Sequence, residues 1–190
     1  RVSLVCFGHS NSAELNGALV PQIYADLTAP TATGDMLDVS QAHTLPDNQG
    51  ASFQGASKKA KFEIDAQLAR DWLGQPNPHG CPNSDVLKPW ANGFELSRGP
   101  QHQWIIDFGN EMPESAAALY EQPFAYVVAN IKPERVQKSE PALRDFWWRF
   151  GRPRVELRVA LKPLNRFIAT VAHSKHRFFV WLPVTTSPDQ

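Results

Sequence analysis

The chain has 190 residues, 42% hydrophobic and 11% aromatic, enough apolar material for the core of one domain or two small ones, which excludes disorder throughout. Formal net charge is zero, which taken alone argues against a polyanion binder, but the charge is segregated. Residues 1–130 carry 7 lysines and arginines against 14 acids and residues 131–190 carry 12 against 5, giving −7 followed by +7, a pattern that points to polyanion or partner binding by the last third.

Residues 2–7, VSLVCF, predict a buried strand, a short β-branched apolar run ending at Gly8. With no initiator Met and no polar lead-in before it, that run suggests a piece of a larger protein. Residues 20–24 predict a second strand, paired through the turn-forming Asn16-Gly17. Residues 28–55, rich in Thr, Asp, Ala, Gly and Pro, predict an irregular connection and a module boundary. Residues 62–73 place Ile64, Leu68 and Trp72 four apart, an amphipathic helix ending at Gly74. Residues 75–85, QPNPHGCPNSD, predict a loop, and WIIDFG at 104–109 a strand stopped by glycine. An Ala-rich helical stretch follows over 113–131, with Pro123 forcing a kink or a break. Residues 155–164 predict a short helix. Residues 166–172 and 177–183 predict two strands separated by the basic connection HSKH.

Signatures of catalysis are sparse. No GxGxxG, P-loop, HExxH or GxSxG is present. Asn77-Pro78-His79-Gly80 lacks the aromatic with which an adenine-amino methyltransferase clamps a flipped base, so it reads as a Pro-Gly turn. Asp107 and Glu111 read as solvated acids at a strand end, and His79 with Cys81 is half of a metal site. Two cysteines without a CxxC fit a reducing cytoplasm. No apolar run reaches the roughly 18 residues of a membrane span, and no secretory leader pattern is visible.

The stretch RDFWWRFGRPRVELR, residues 144–158, is the strongest feature. Trp147, Trp148 and Phe150 read as core, because large aromatics most often serve burial. The arginines are too many for the acids near them, and an arginine fork suits a phosphate or the edge of guanine.

Several phrases, in order, resemble the C-terminal part of MmeI-like (Type IIL) restriction-modification enzymes. They are NSDVLKPWANGFEL (83–96), WIIDFG (104–109), AALYEQPFAYV (117–127), KPER (132–135), WW (147–148) and RFIAT…SKHRFFVWLP (166–183). RVSLVCFG looks like a late methyltransferase strand and FQGASKKAKFEI like the crossover into a recognition domain. The resemblance spans nearly the whole chain.

It implies a methyltransferase tail and connection over 1–55 and a DNA target recognition domain over 56–190. The implied fold is α+β: a small mixed β-sheet over 104–109 and 166–183 with packed helices, plus an N-terminal strand left over from a methyltransferase α/β core. This chain would be non-catalytic and hold no cofactor. Methyl transfer to one adenine, S-adenosylmethionine and the nuclease would belong to upstream domains of the same cytoplasmic polypeptide, which with double-stranded DNA are the expected partners. By position between the shared phrases, Lys138, Ser139, Val171 and His173 are the expected base readers. Arg144, Arg149, Arg152, Arg154, Lys175, His176 and Arg177 are expected mostly on the DNA backbone, with one or two reading guanine. Two other readings remain open: a stand-alone metal-dependent hydrolase using Asp107, Glu111 and a histidine, and a basic scaffold domain that binds an acidic protein.

Overall fold

The computed structural model describes residues 8, 12–24, 27–30, 42–43, 45–99, 102–175 and 178–189. The chain divides into two compact units, Arg1–Ala51 and Ser52–Gln190. In the first, β1 (Ala13–Leu15) and β2 (Ala18–Val20) form an antiparallel hairpin with Leu15 opposite Ala18. Asn16 and Gly17 both take positive φ, 52° and 83°, the signature of a two-residue type I′ turn, and such a turn dictates the register. The turn lies where the sequence predicts it. Its strands are closer in than 2–7 and 20–24, because a two-residue turn pairs its immediate neighbours and Pro21 offers no N–H to continue the ladder. Residues 2–7 lie outside the described residues.

The second unit is built on a four-stranded mixed sheet in the order β3 (Glu63–Ile64), β5 (Trp104–Ile106), β4 (Leu87–Ala91), β8 (Ser187–Pro188). β5 runs antiparallel to both of its neighbours, and β4 pairs in parallel with β8. Phe62 through Ile64, expected in a helix, join this sheet instead: the Phe62 carbonyl accepts from the Ile106 N–H at 3.1 Å. The helix, α1 (Ala66–Leu73), starts only after Asp65, whose Oδ1 accepts from the Leu68 N–H at 2.9 Å, an N-cap that fixes where the helix begins. A second helix, α2 (Gly93–Arg98), is capped by Asn92 in the same way.

Asn83 joins α1 to the loop that follows it. Fully buried, it donates to the Trp72 carbonyl at 2.8 Å and accepts from the Asn77 side chain at 2.9 Å. The helical stretch over 113–131 splits into α3 (Glu114–Ala117) and α4 (Glu121–Asn130). Pro123 sits in the first turn of α4, where its missing N–H forfeits no helical bond. Three short helices follow, α5 (Lys132–Arg135), α6 (Pro141–Asp145) and α7 (Val155–Leu161); α7 stops short of Pro163.

The last hairpin, β6 (Arg166–Ala169) and β7 (Val180–Pro183), is antiparallel with Ile168 opposite Trp181. It forms a two-stranded sheet of its own, which corrects the expectation that 104–109 and 166–183 share one sheet. Both edges of β5 are already occupied by β3 and β4, so no ladder position beside the 104–106 strand remains for the hairpin. The fold is α+β, with a small mixed sheet and packed helices as expected. The core joins Phe62, Leu87, Trp90, Ile105, Phe108 and Val127 to Trp147, Trp148 and Phe150. Among the described residues no helix is long and apolar enough to cross a membrane.

Candidate nucleic-acid interface

The tryptophan pair is core, as its sequence context predicts. Trp147 and Trp148 are 4% and 5% exposed, their ring centroids 5.7 Å apart at 75°, and Trp147 continues into Phe124 at 5.5 Å. The Trp148 indole N–H donates to the Met112 carbonyl at 3.0 Å, which satisfies its one polar atom.

Each arginine around this core has its own role. Arg149 is turned back onto the protein. Its Nη1 donates to the Asn110 carbonyl at 2.7 Å, Nη2 to Met112 at 2.7 Å and Glu111 at 3.2 Å, and Nε to Met112 at 3.1 Å. The guanidinium also lies 4.8 Å and 5.1 Å from the ring centroids of Phe146 and Trp148, and burial lowers its pKa. The expected phosphate contact at Arg149 therefore gives way to a clamp on the 110–112 turn, because three carbonyls already hold its donors. Arg158 is likewise engaged: Nη2 reaches both oxygens of Asp107 at 3.0 and 2.9 Å, and Nε donates to the Pro153 carbonyl at 2.8 Å. Asp107, expected as a solvated acid, is buried, 8% exposed, and also accepts from the Gly109 N–H at 2.9 Å. The reason is the long-range pairing with Arg158, since a carboxylate with a cation and an N–H donor tolerates burial. Glu111 remains exposed.

Arg144, Arg152, Lys162 and Arg166 are exposed, as are His173 and Lys175 in the β6–β7 connection. Arg144 donates from Nε to Asp145 at 3.0 Å. Arg152 pairs through its backbone with Ser57, both N–H to O distances 2.9 Å, which anchors the main chain and leaves the side chain at the surface. Arg154, half-buried, donates to the Gln54 side chain and takes φ 53° just before α7, a left-handed conformation that is uncommon for a residue other than glycine. His176 and Arg177 lie outside the described residues.

The expected base readers fall on separate elements. Lys138 and Ser139 follow α5, with Lys138 ion-paired to Glu134 at 2.7 Å; that pair holds the Glu134 carboxyl below the usual carboxylate range. Val171 and His173 lie between β6 and β7. Val171 is half-buried and packs onto the start of α2, so close that a Cβ at Gly93 would meet its Cγ1 at 3.0 Å. The Val171 side chain thus anchors the connection to α2, while His173 stays exposed.

A concavity of about 370 Å³ lies between α7, residues 184–188 and the end of β5, with the Asp107–Arg158 pair in its wall and Lys88 and Lys162 beside it. No sequence signal marks it, because its lining comes from segments far apart in the chain. Asn77-Pro78-His79-Gly80 is the turn its sequence predicts: the Gly80 N–H donates to the Asn77 carbonyl at 3.0 Å and Gly80 takes φ 76°. The Asn77 amide donates to the Cys81 carbonyl and to Asn83, each at 2.9 Å, and its oxygen accepts from the Glu121 N–H at 3.3 Å. His79 meets Tyr120 edge-on at 4.6 Å, and Cys81 is exposed. Among the described residues, no three His, Cys, Asp or Glu side chains converge as a metal site requires.

None of the protein-family models, curated proteins or solved structures compared with this chain matches it.

Proposed function

We propose that this chain is a sequence-specific duplex-DNA recognition module of an adenine-specific, MmeI-like restriction-modification methyltransferase in a reducing cytoplasm. It grips and selects the site, and a separate domain of the same polypeptide transfers the methyl group that S-adenosylmethionine supplies. The observation that carries the reading is the acid-poor basic surface of the last third: Arg144, Arg152, Lys162, Arg166 and Lys175 are exposed, and residues 131–190 hold 12 lysines and arginines against 5 acids. The phrases that resemble MmeI-like enzymes point to the methyltransferase chemistry. The Asn77 amide, held by Cys81, Asn83 and Glu121, is not available to grip a flipped adenine, which fits a clamp located in another domain.

Affinity for duplex DNA, measured by anisotropy against salt, is expected to fall with a log-log slope of about −0.9 per phosphate contacted. Arg152→Ala is expected to weaken binding to every sequence and to reduce that slope by about 1. No binding to any duplex at low salt would overturn the reading. The exposed His173, with Lys138 and Ser139 on the other element, is the base-reading candidate. In the full-length enzyme, substituting His173 or Lys138 is expected to shift the preferred base by about 1 to 3 kcal/mol. Genomic methylation read at single-base resolution checks this, and an unchanged site methylated at an unchanged rate would remove those residues from the reading surface.

A further inference from the structure

We propose that the outward face of the β6–β7 ribbon is a base-stacking platform, on which Phe179 and Trp181 take the faces of bases at a locally opened step of the duplex. This rests on the DNA reading above and adds where and how the duplex is opened. The pleat defines the face. Arg166, Ile168, Thr170, Phe179, Trp181 and Pro183 are exposed, whereas the residues that alternate with them, among them Phe167, Val180 and Leu182, are half-buried. Three large apolar side chains thus stand together in water, with Phe179 69%, Trp181 57% and Ile168 55% exposed, and Ile168 directly opposite Trp181. Folded chains seldom leave such a patch uncovered unless it meets a partner.

Charge names the partner. Between Glu156 and Asp189 the sequence holds no acidic residue; Arg158 is taken up by Asp107, which leaves Lys162, Arg166, Lys175 and Arg177 as the further cations of that interval. The platform itself carries a cation: the Arg166 guanidinium lies 4.1 Å from the centroid of the Trp181 ring. A surface of arginine and flat aromatics suits a partner that is both anionic and built of planar rings. The spacing suits it too. Phe179 directly precedes β7, and residues two apart in extended chain are separated by up to about 6.8 Å, twice the roughly 3.4 Å between successive bases of one strand, a spacing that matches one base between the Phe179 and Trp181 positions. An enzyme that extrudes an adenine leaves its neighbours unstacked, and apolar side chains inserted at such a step compensate for the lost stacking.

The test compares a fully paired duplex with one carrying a central mismatch, whose bases unstack more readily. The unaltered chain is expected to bind the mismatched duplex more tightly. Phe179→Ala and Trp181→Ala are each expected to weaken binding to it about 10-fold and to erase the preference, with the salt slope and the melting temperature unchanged because both side chains are uncharged and exposed. Trp181→Phe is expected to retain most of the preference. Saturating duplex should shield tryptophan fluorescence from acrylamide in the unaltered chain and not in Trp181→Phe. If both alanine variants bind the two duplexes as the unaltered chain does, or if Trp181 stays equally open to acrylamide on DNA, the platform is wrong while DNA binding stands, and the face belongs to a protein partner. No binding of the unaltered chain to either duplex would overturn the DNA reading itself.

Discussion

Arg149→Ala is expected to lower the stability of the folded chain by about 3 kcal/mol, roughly 10 °C in melting temperature, while leaving the salt slope of DNA binding unchanged. The guanidinium holds the carbonyls of Asn110, Glu111 and Met112 at once, and charge-assisted bonds of this kind contribute about 1.5 to 3 kcal/mol each before overlap is discounted. The same variant uncovers the rings of Phe146 and Trp148, over which the guanidinium sits, and frees the turn whose Met112 carbonyl also receives the Trp148 indole N–H. Lysine is a poor replacement, because one ammonium cannot span three carbonyls as the planar fork does. Arg152→Ala, three residues on, should behave in the opposite way, with stability nearly unchanged and a shallower slope. Thermal melts and salt titrations of the two variants separate a clamp from a phosphate contact. A full-size loss of slope in Arg149→Ala with an unchanged melt would reverse the roles given to these two residues.

That contrast shows where sequence was informative. Burial of Trp147 and Trp148 was legible because two adjacent indoles in an aromatic-rich run have few other uses in a small domain. The WIIDFG strand, the division of 113–131 into two helices and the 166–183 hairpin were legible because each depends on local pattern: an apolar run, a proline and a basic turn between two apolar runs. What could not be read is every pairing between distant segments. Nothing near Asp107 reveals that Arg158, 51 residues later, neutralises it. Nothing near β5 reveals that β3 and β4 occupy both of its edges. The predicted helix over 62–73 started too early partly for the same reason, since Phe62 looks inward in either conformation and the Ile106 N–H draws its carbonyl into the sheet; the Asp65 cap was the local signal for the true start. Charge was legible in sum but not in allocation. Arg149 and Arg158 are held by the protein itself, so fewer cations face outward than the excess in residues 131–190 suggests.

Arg135 makes the same point at the centre of the fold, and its substitution is expected to separate two effects of opposite sign. The side chain is fully buried. Its Nη2 donates to the Lys58 carbonyl, its guanidinium carbon lies 5.7 Å from the centroid of the Phe62 ring, and Nε and Nη1 meet no hydrogen-bonding group among the described residues. Burial lowers its pKa, with Glu134 and Glu140 opposing the shift, so the folded state holds a cation less well solvated than in the unfolded chain. Replacing buried ion pairs with apolar side chains of similar volume is often neutral or stabilising, by about 1 to 4 kcal/mol, and the same desolvation cost bears on a buried cation with no ion-pair partner among the described residues. Arg135→Met is therefore expected to melt at or above the temperature of the unaltered chain. Arg135→Ala also removes the charge but leaves a cavity where the long stem packed, and is expected to cost about 3 kcal/mol. Urea titration of both variants gives the comparison directly. Neither should alter the salt slope of DNA binding, because a guanidinium enclosed by Phe62 and the Lys58 backbone contacts no phosphate. Should Arg135→Met prove as destabilised as Arg135→Ala, the unpartnered Nε and Nη1 must be bound in solution, and the buried charge would then hold the framework together rather than strain it.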